Sequence, residues 1–336
     1  MTLSPMSIPA NFSHDAVDEY HNNTDSILCH FELSSWVPFV TGVYILIISV
    51  LGIILNVFVL VVFWLHKKAC TVAEIYLSNL AAADLFLMSV PSVLAVTAAT
   101  VDDWQFTDTL CKVLMFFPRM NADCSIYILA LVSFDRYVAL VHPLTDGRMR
   151  RPLYAKLACV MVWGVCFLLN VPTFIYSEAT RDPEGNFTTC VLKDPIPTMY
   201  LVFKGVNEFC CIVLIAVISF CTVNIIHTLR NRIKNRLNTQ KKEQKATTLV
   251  LVVLLVFMIC WVPMQVVRIL DLLSLLKILN GCHFLKNLHL CYFIFTSLVL
   301  SNSVLNPILY VIVGKTFQTK VKESFTQMST TLSISQ

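Results

Sequence analysis

The chain has 336 residues, 57% hydrophobic and only 14% charged, with a net charge of +4 and a mean hydropathy of +0.71. Soluble domains are about half apolar and about a quarter charged, so a water-soluble globular fold is excluded. The apolar excess has to face lipid.

Seven runs are long and apolar enough for a membrane helix, which needs about 20 residues. They are predicted at Val37 to Leu65, Val72 to Thr97, Leu110 to Val141, Ala155 to Ile175, Met199 to Leu229, Lys245 to Leu276 and Asn287 to Val313. Helices are expected because lipid offers no partner for an unpaired backbone group. The runs are also too long and too evenly apolar for barrel strands, which alternate over about 10 residues.

The first 66 residues contain no lysine or arginine. Basic residues then gather after the first span (Lys67, Lys68), between the third and fourth (Arg148, Arg150, Arg151, Lys156), from Arg230 through Lys245, and after the seventh (Lys315, Lys320, Lys322). The positive-inside bias puts these segments in the cytosol and the N-terminus outside. The sequons at Asn11, Asn22 and Asn186 all fall on the outer side and are expected glycosylation sites. The first 35 residues lack the basic and apolar regions of a cleaved leader, so the first span is expected to act as an uncleaved signal anchor.

Of 13 cysteines, Cys29, Cys111, Cys190 and Cys282 lie on the outer side, where disulfides persist. Four cysteines permit three pairings. Cys111 with Cys190 would tie the third helix to the second outer loop, and Cys29 with Cys282 the tail to the third outer loop. The other nine read as small buried hydrophobes.

The expected organisation is an all-α membrane protein built as a seven-transmembrane helix bundle. Residues 1–36 form a glycosylated extracellular tail, 37–313 the bundle, 314–327 a membrane-surface helix and 328–336 a cytosolic tail. The surface helix follows from Phe317, Val321 and Phe325 at helical spacing among lysines. No segment outside the bundle is large enough for a catalytic domain. There is no inverted repeat of the kind many transporters show, and nucleic acid is not an expected partner.

Polar groups inside spans are costly and point to function. Here they occur in a set order: Asn56, Leu80-Ala-Ala-Ala-Asp84, Asp135-Arg136-Tyr137, Trp163, Cys260-Trp261-Val262-Pro263 and Asn306-Pro307-Ile308-Leu309-Tyr310. With seven spans and the N-terminus outside, this set resembles the rhodopsin-like, class A G-protein-coupled receptors from about Val37 to Phe325. Thr71 to Leu85, Tyr310 to Phe317 and the run into Cys260-Trp261 are similar to the bradykinin (kinin) receptors.

The resemblance implies a plasma-membrane peptide receptor, not an enzyme, that signals through a heterotrimeric G protein of the Gq class to phospholipase C and calcium. Arrestin and a receptor kinase are the further partners it implies. A receptor for another peptide and a non-signalling scavenger are the alternatives. The implied switch residues are Asp135, Arg136 and Tyr137, with Glu243 as a second anion at the base of the sixth helix. Phe257, Trp261 and Pro263 follow in the sixth helix, relayed through Ile126, and Asn306, Pro307 and Tyr310 in the seventh. No cofactor is implied beyond an allosteric sodium ion, held among Asp84, Asn121, Ser125, Asn302, Ser303 and Asn306. Two departures stand on the fifth helix: the expected proline is missing, with Leu214 or a neighbour in its place, and the expected cytosolic tyrosine is missing, with Thr222 near that position. A third lies on the second, where Val90-Pro91-Ser92-Val93 replaces Leu-Pro-Phe-Trp.

For the ligand, the tail acids Asp15, Asp18, Glu19, Asp25 and Glu32, with Asp102, Asp103 and Asp108, would attract a cationic peptide. Pro118 occupies the third-helix position that carries the amine-binding aspartate in aminergic receptors, which disfavours small amines. Asp271 matches a family acid that meets the basic N-terminal end of the peptide, and His289 replaces a second such acid. Arg119 follows Cys111 by eight residues, about 12 Å into the bundle. It matches the basic residue that faces the C-terminal carboxylate in the receptor for trimmed, des-Arg kinins. Asp123 is four residues on, so an Arg119–Asp123 pair within the helix is the competing expectation. Arg268 is a further positive charge that the family does not lead one to expect.

Overall fold

The computed structural model describes residues 36–65, 70–100, 107–141, 152–181, 188–193, 195–234, 241–279, 281–313 and 317–323. Seven long helices run through it in chain order: α1 (Trp36–Leu65), α2 (Val72–Thr100), α3 (Asp108–Val141), α4 (Pro152–Tyr176), α5 (Thr198–Lys234), α6 (Lys241–Leu275) and α7 (Cys282–Val313). A short helix, α8, spans 317–323. All seven long helices contain an apolar stretch sufficient to cross a membrane. Large side chains face outward, among them Trp64, Val160, Phe209 and Ile259, as lipid-exposed surfaces require.

The bundle is centred on α3, which packs against α2, α4, α5 and α6. Its inner face is fully buried at Cys124, Ile126, Ile128 and Leu129. Asn56 fastens α1 to α7 by donating to the Ser303 carbonyl at 3.1 Å, and Trp163 fastens α4 to α2 by donating to Asn79 Oδ1 at 3.2 Å. Gly52 lets α1 approach α2 closely, since a Cβ there would lie 2.7 Å from Met88 Cγ.

A capping box starts α2. The backbone N–H of Thr71 donates to Glu74 Oε2 at 2.9 Å, and that of Glu74 donates to Thr71 Oγ1 at 3.4 Å. The other Glu74 oxygen pairs with Lys320 of α8 at 2.8 Å. Phe317 of α8 is buried edge-on against Phe58 and Phe63 of α1, with centroids 6.1 and 5.6 Å apart. The apolar stripe predicted after α7 therefore docks on the base of α1 and α2.

Between α4 and α5 the chain forms a hairpin, β1 (Ser177–Arg181) with β2 (Thr188–Leu192), antiparallel with Ala179 opposite Cys190. The Cys111–Cys190 disulfide joins it to the outer end of α3, as one of the three possible pairings required. Asp108 Oδ1 accepts the Ala179 N–H at 3.1 Å beside it. Cys29, Asn11, Asn22, Asn186, the tail acids, Asp102 and Asp103 lie outside the described residues. The side chains of Cys282, Glu243, Tyr310 and Val90 to Val93 also lie outside them.

Candidate functional site

The outer half of the bundle holds a buried network of charges. Asp123 of α3 is 0% exposed. Its Oδ1 accepts Arg268 Nη1 and Nη2 at 3.2 and 3.1 Å, and its Oδ2 accepts Asn170 Nδ2 at 2.8 Å and Asn207 Nδ2 at 2.7 Å. A carboxylate offers about four lone-pair sites, and here all are taken. The expected Arg119–Asp123 pair is accordingly not formed. Two amides and a guanidinium from α4, α5 and α6 outcompete a neighbour one turn away.

Arg268 also donates through Nε to Glu208 Oε1 at 3.1 Å, and Glu208 Oε2 accepts Gln265 Nε2 at 2.6 Å. Arg268, the charge that the resemblance does not lead one to expect, thus bridges acids on α3 and α5. Further out, Lys204 of α5 pairs with Asp271 of α6 at 2.5 Å. The acid expected to meet a basic peptide end is already neutralised within the bundle. His289 is half-buried on α7.

Arg119 donates Nη1 to the Tyr200 hydroxyl at 3.1 Å. Among the described residues this is its one hydrogen-bond partner, and no acid pairs with it. With Asn170, Tyr200, Lys204 and Asn207 it lines a small recess between α3, α4 and α5. A guanidinium carries five donors, so most of its capacity is open to an incoming acceptor.

Sequence reasoning missed Lys204, Glu208, Asn207, Asn170, Gln265 and Tyr200. A signal was present, since Lys204 and Glu208 stand four residues apart within an apolar span, a spacing that puts two costly groups on one helix face.

One level below, Phe257 and Trp261 stack at 5.5 Å in the same core as Ile126, above the inner half of α6. Pro263 lies inside α6, and Pro118 and Pro307 lie inside α3 and α7. Asp84 accepts Ser303 Oγ at 2.8 Å and Asn306 Nδ2 at 3.2 Å. The amide oxygens of Asn121, Asn302 and Asn306 are buried without a partner, and Ser125 is buried too. Among the described residues Asp84 has no basic partner, unlike the buried acids Glu74, Asp123 and Glu208. An unpaired anion with surplus oxygen acceptors is the donor set of a hard cation. At the cytosolic end, Arg136 Nε and Nη2 donate to Asp135 Oδ2 at 2.9 and 2.6 Å, and Tyr137 lies against Phe220 of α5.

Seven membrane helices, a disulfide-pinned outer hairpin, an inner Asp-Arg pair and a polar core beneath an outer charge network define a membrane receptor of the seven-helix class. The family profile described as "7 transmembrane receptor (rhodopsin family)" matches residues 55–310. The B2 bradykinin receptor of Cavia porcellus is 41% identical over 295 residues, covering 87% of this chain and 79% of that receptor. The human B2 bradykinin receptor is 41% identical over 298 residues, covering 88% and 76%. The B1 bradykinin receptor of Macaca mulatta is 34% identical over 288 residues, covering 84% and 82%. The chain belongs to the rhodopsin family of seven-transmembrane G-protein-coupled receptors and, within it, to the bradykinin receptors. It is a multi-pass plasma-membrane protein of a non-enzymatic family.

Proposed function

We propose that the chain is a cell-surface receptor for a short kinin-like peptide, seated in the outer bundle with its C-terminal carboxylate at Arg119. The observation that carries this is the state of that guanidinium: half-buried and, among the described residues, held by one hydroxyl and paired with no acid. Lys204 and Arg268, the other lysine and arginine of the outer network, already have their anions. Charge-assisted hydrogen bonds to a carboxylate are the interaction such a site is built to make.

Binding shifts the population toward a state in which α6 swings outward about Pro263 and opens a cytosolic cleft to a G protein of the Gq class. The Asp135–Arg136 pair holds the closed state. Arrestin and a receptor kinase act on the inner surface afterwards. A sodium ion at Asp84, with Ser303, Asn302, Asn306, Asn121 and Ser125, favours the closed state. Residues 1–36 are the extracellular tail, and α8 continues the inner surface. Calcium mobilisation in cells given intact and C-terminally trimmed kinin peptides tests the assignment. A response to either supports it, its size ranks the two forms, and silence to both contradicts it.

A further inference from the structure

Arg268 has no counterpart in the resemblance, yet it is the most heavily bonded base in the outer bundle. We propose that Arg268 couples an anionic ligand group to α6: Asp123 and Glu208 hold it in the resting arrangement, and a carboxylate seated at Arg119 competes with them for it. This rests on the reading of the chain as a receptor that signals by moving α6.

Three observations support the coupling. First, the ion cluster spans three helices, since Arg268 on α6 reaches Asp123 on α3 and Glu208 on α5 with all its nitrogens engaged. It therefore pins α6 to its neighbours from within the core, where its side chain is 4% exposed. Second, the cluster holds two acids to one base. A further carboxylate, met first by Arg119, adds a third anion beside the one guanidinium that Asp123 and Glu208 already share, in an interior where charges interact strongly. Arg119 lies one turn outward of Asp123 on the same face of α3, and its recess is also lined by Asn170 and Asn207, the two amides that donate to Asp123, so a carboxylate seated there adjoins the cluster. Third, Arg268 stands five residues beyond Pro263 and seven beyond Trp261. A change in its bonding acts on the outer arm of α6, across the point where proline removes a backbone hydrogen bond.

The test uses the full-length receptor in lipid nanodiscs, with a trifluoromethyl-phenylalanine installed in place of Lys245 at the cytosolic start of α6, where fluorine resonances report its inward and outward populations. Without peptide, Arg268→Gln is expected to raise the outward population about tenfold, within the usual range of coupling between sites. Arg268→Lys, which keeps the charge, stays near wild type. A free-acid kinin peptide increases the outward population in wild type and adds little in Arg268→Gln. A wild-type outward population in Arg268→Gln, with an undiminished peptide response, overturns the proposal. If Arg268→Gln does not fold, Glu208→Gln, which keeps an acceptor for Gln265, is expected to shift the population the same way, and no shift there overturns it equally. The signal needs neither peptide nor G protein in its first arm. A wrong ligand assignment would instead show as an unresponsive wild type alongside variants that still shift.

Discussion

Asp123 on α3 and Arg268 on α6 meet through two hydrogen bonds to a single carboxylate oxygen, at 3.1 and 3.2 Å, with both residues sealed from solvent. This pairing decides what the outer bundle has left for a ligand. It consumes the acid nearest Arg119 along α3 and, among the described residues, leaves Arg119 with a hydroxyl alone.

Lys204 sets the second feature of the pocket by occupying Asp271 at 2.5 Å. A peptide whose N-terminal end is basic has to compete with a covalently tethered amine for that carboxylate. Lys204→Met is expected to raise the potency of such peptides about tenfold, the order of one charge-assisted hydrogen bond. It should leave peptides without the N-terminal base unchanged. Concentration–response curves for the two peptide series check this, and equal shifts in both would refute it.

Asp84 is buried and without a base among the described residues, and the proposed sodium ion at this site makes a testable demand. Agonist affinity is expected to fall when sodium replaces an equal concentration of a bulky organic cation, because the ion stabilises the closed state. Asp84→Asn is expected to abolish the difference. Competition binding in the two buffers reads it directly, and persistent sodium sensitivity in the variant would place the ion elsewhere.

Phe317 anchors α8 by inserting between Phe58 and Phe63. Phe317→Ala is expected to destabilise the detergent-solubilised receptor by about 3 kcal/mol, as for other buried aromatic truncations. Glu74→Gln, which leaves the buried Lys320 ammonium without its anion, is expected to lower the Tm as well, because removing one partner of a buried pair strands the other charge. An unchanged Tm for Phe317→Ala would mean that α8 does not dock as described.

The spans were legible because lipid exposure imposes an apolar excess that nothing else explains. Their ends were legible only where the helix stops at the bilayer. The fifth span was predicted to close near Leu229, whereas α5 runs on to Lys234, since a helix that leaves lipid continues through basic residues that hydropathy does not register. The β1–β2 hairpin was not legible, because Ser177–Arg181 and Thr188–Leu192 are too short and too polar to carry a strand pattern alone. At the site, Arg119 and Asp123 were found because charges in a span stand out, but spacing proposed a partner one turn away. The actual partner, Arg268, lies 145 residues along the chain. Local periodicity ranks neighbours on one helix and has no access to which helices face each other, and the amides of Asn170 and Asn207 completed the site from that same unseen direction.

The central claim is that Arg119 receives the carboxylate of the peptide. Its most direct test is the affinity of one kinin peptide in free-acid and C-terminally amidated forms, on wild type and on Arg119→Ser. On wild type, amidation is expected to cost about 10- to 100-fold, the range of a hydrogen-bonded charge pair. On Arg119→Ser the two forms should bind alike, at the level of the amide on wild type. An amidation penalty of the same size in both receptors would place the carboxylate elsewhere and contradict the account.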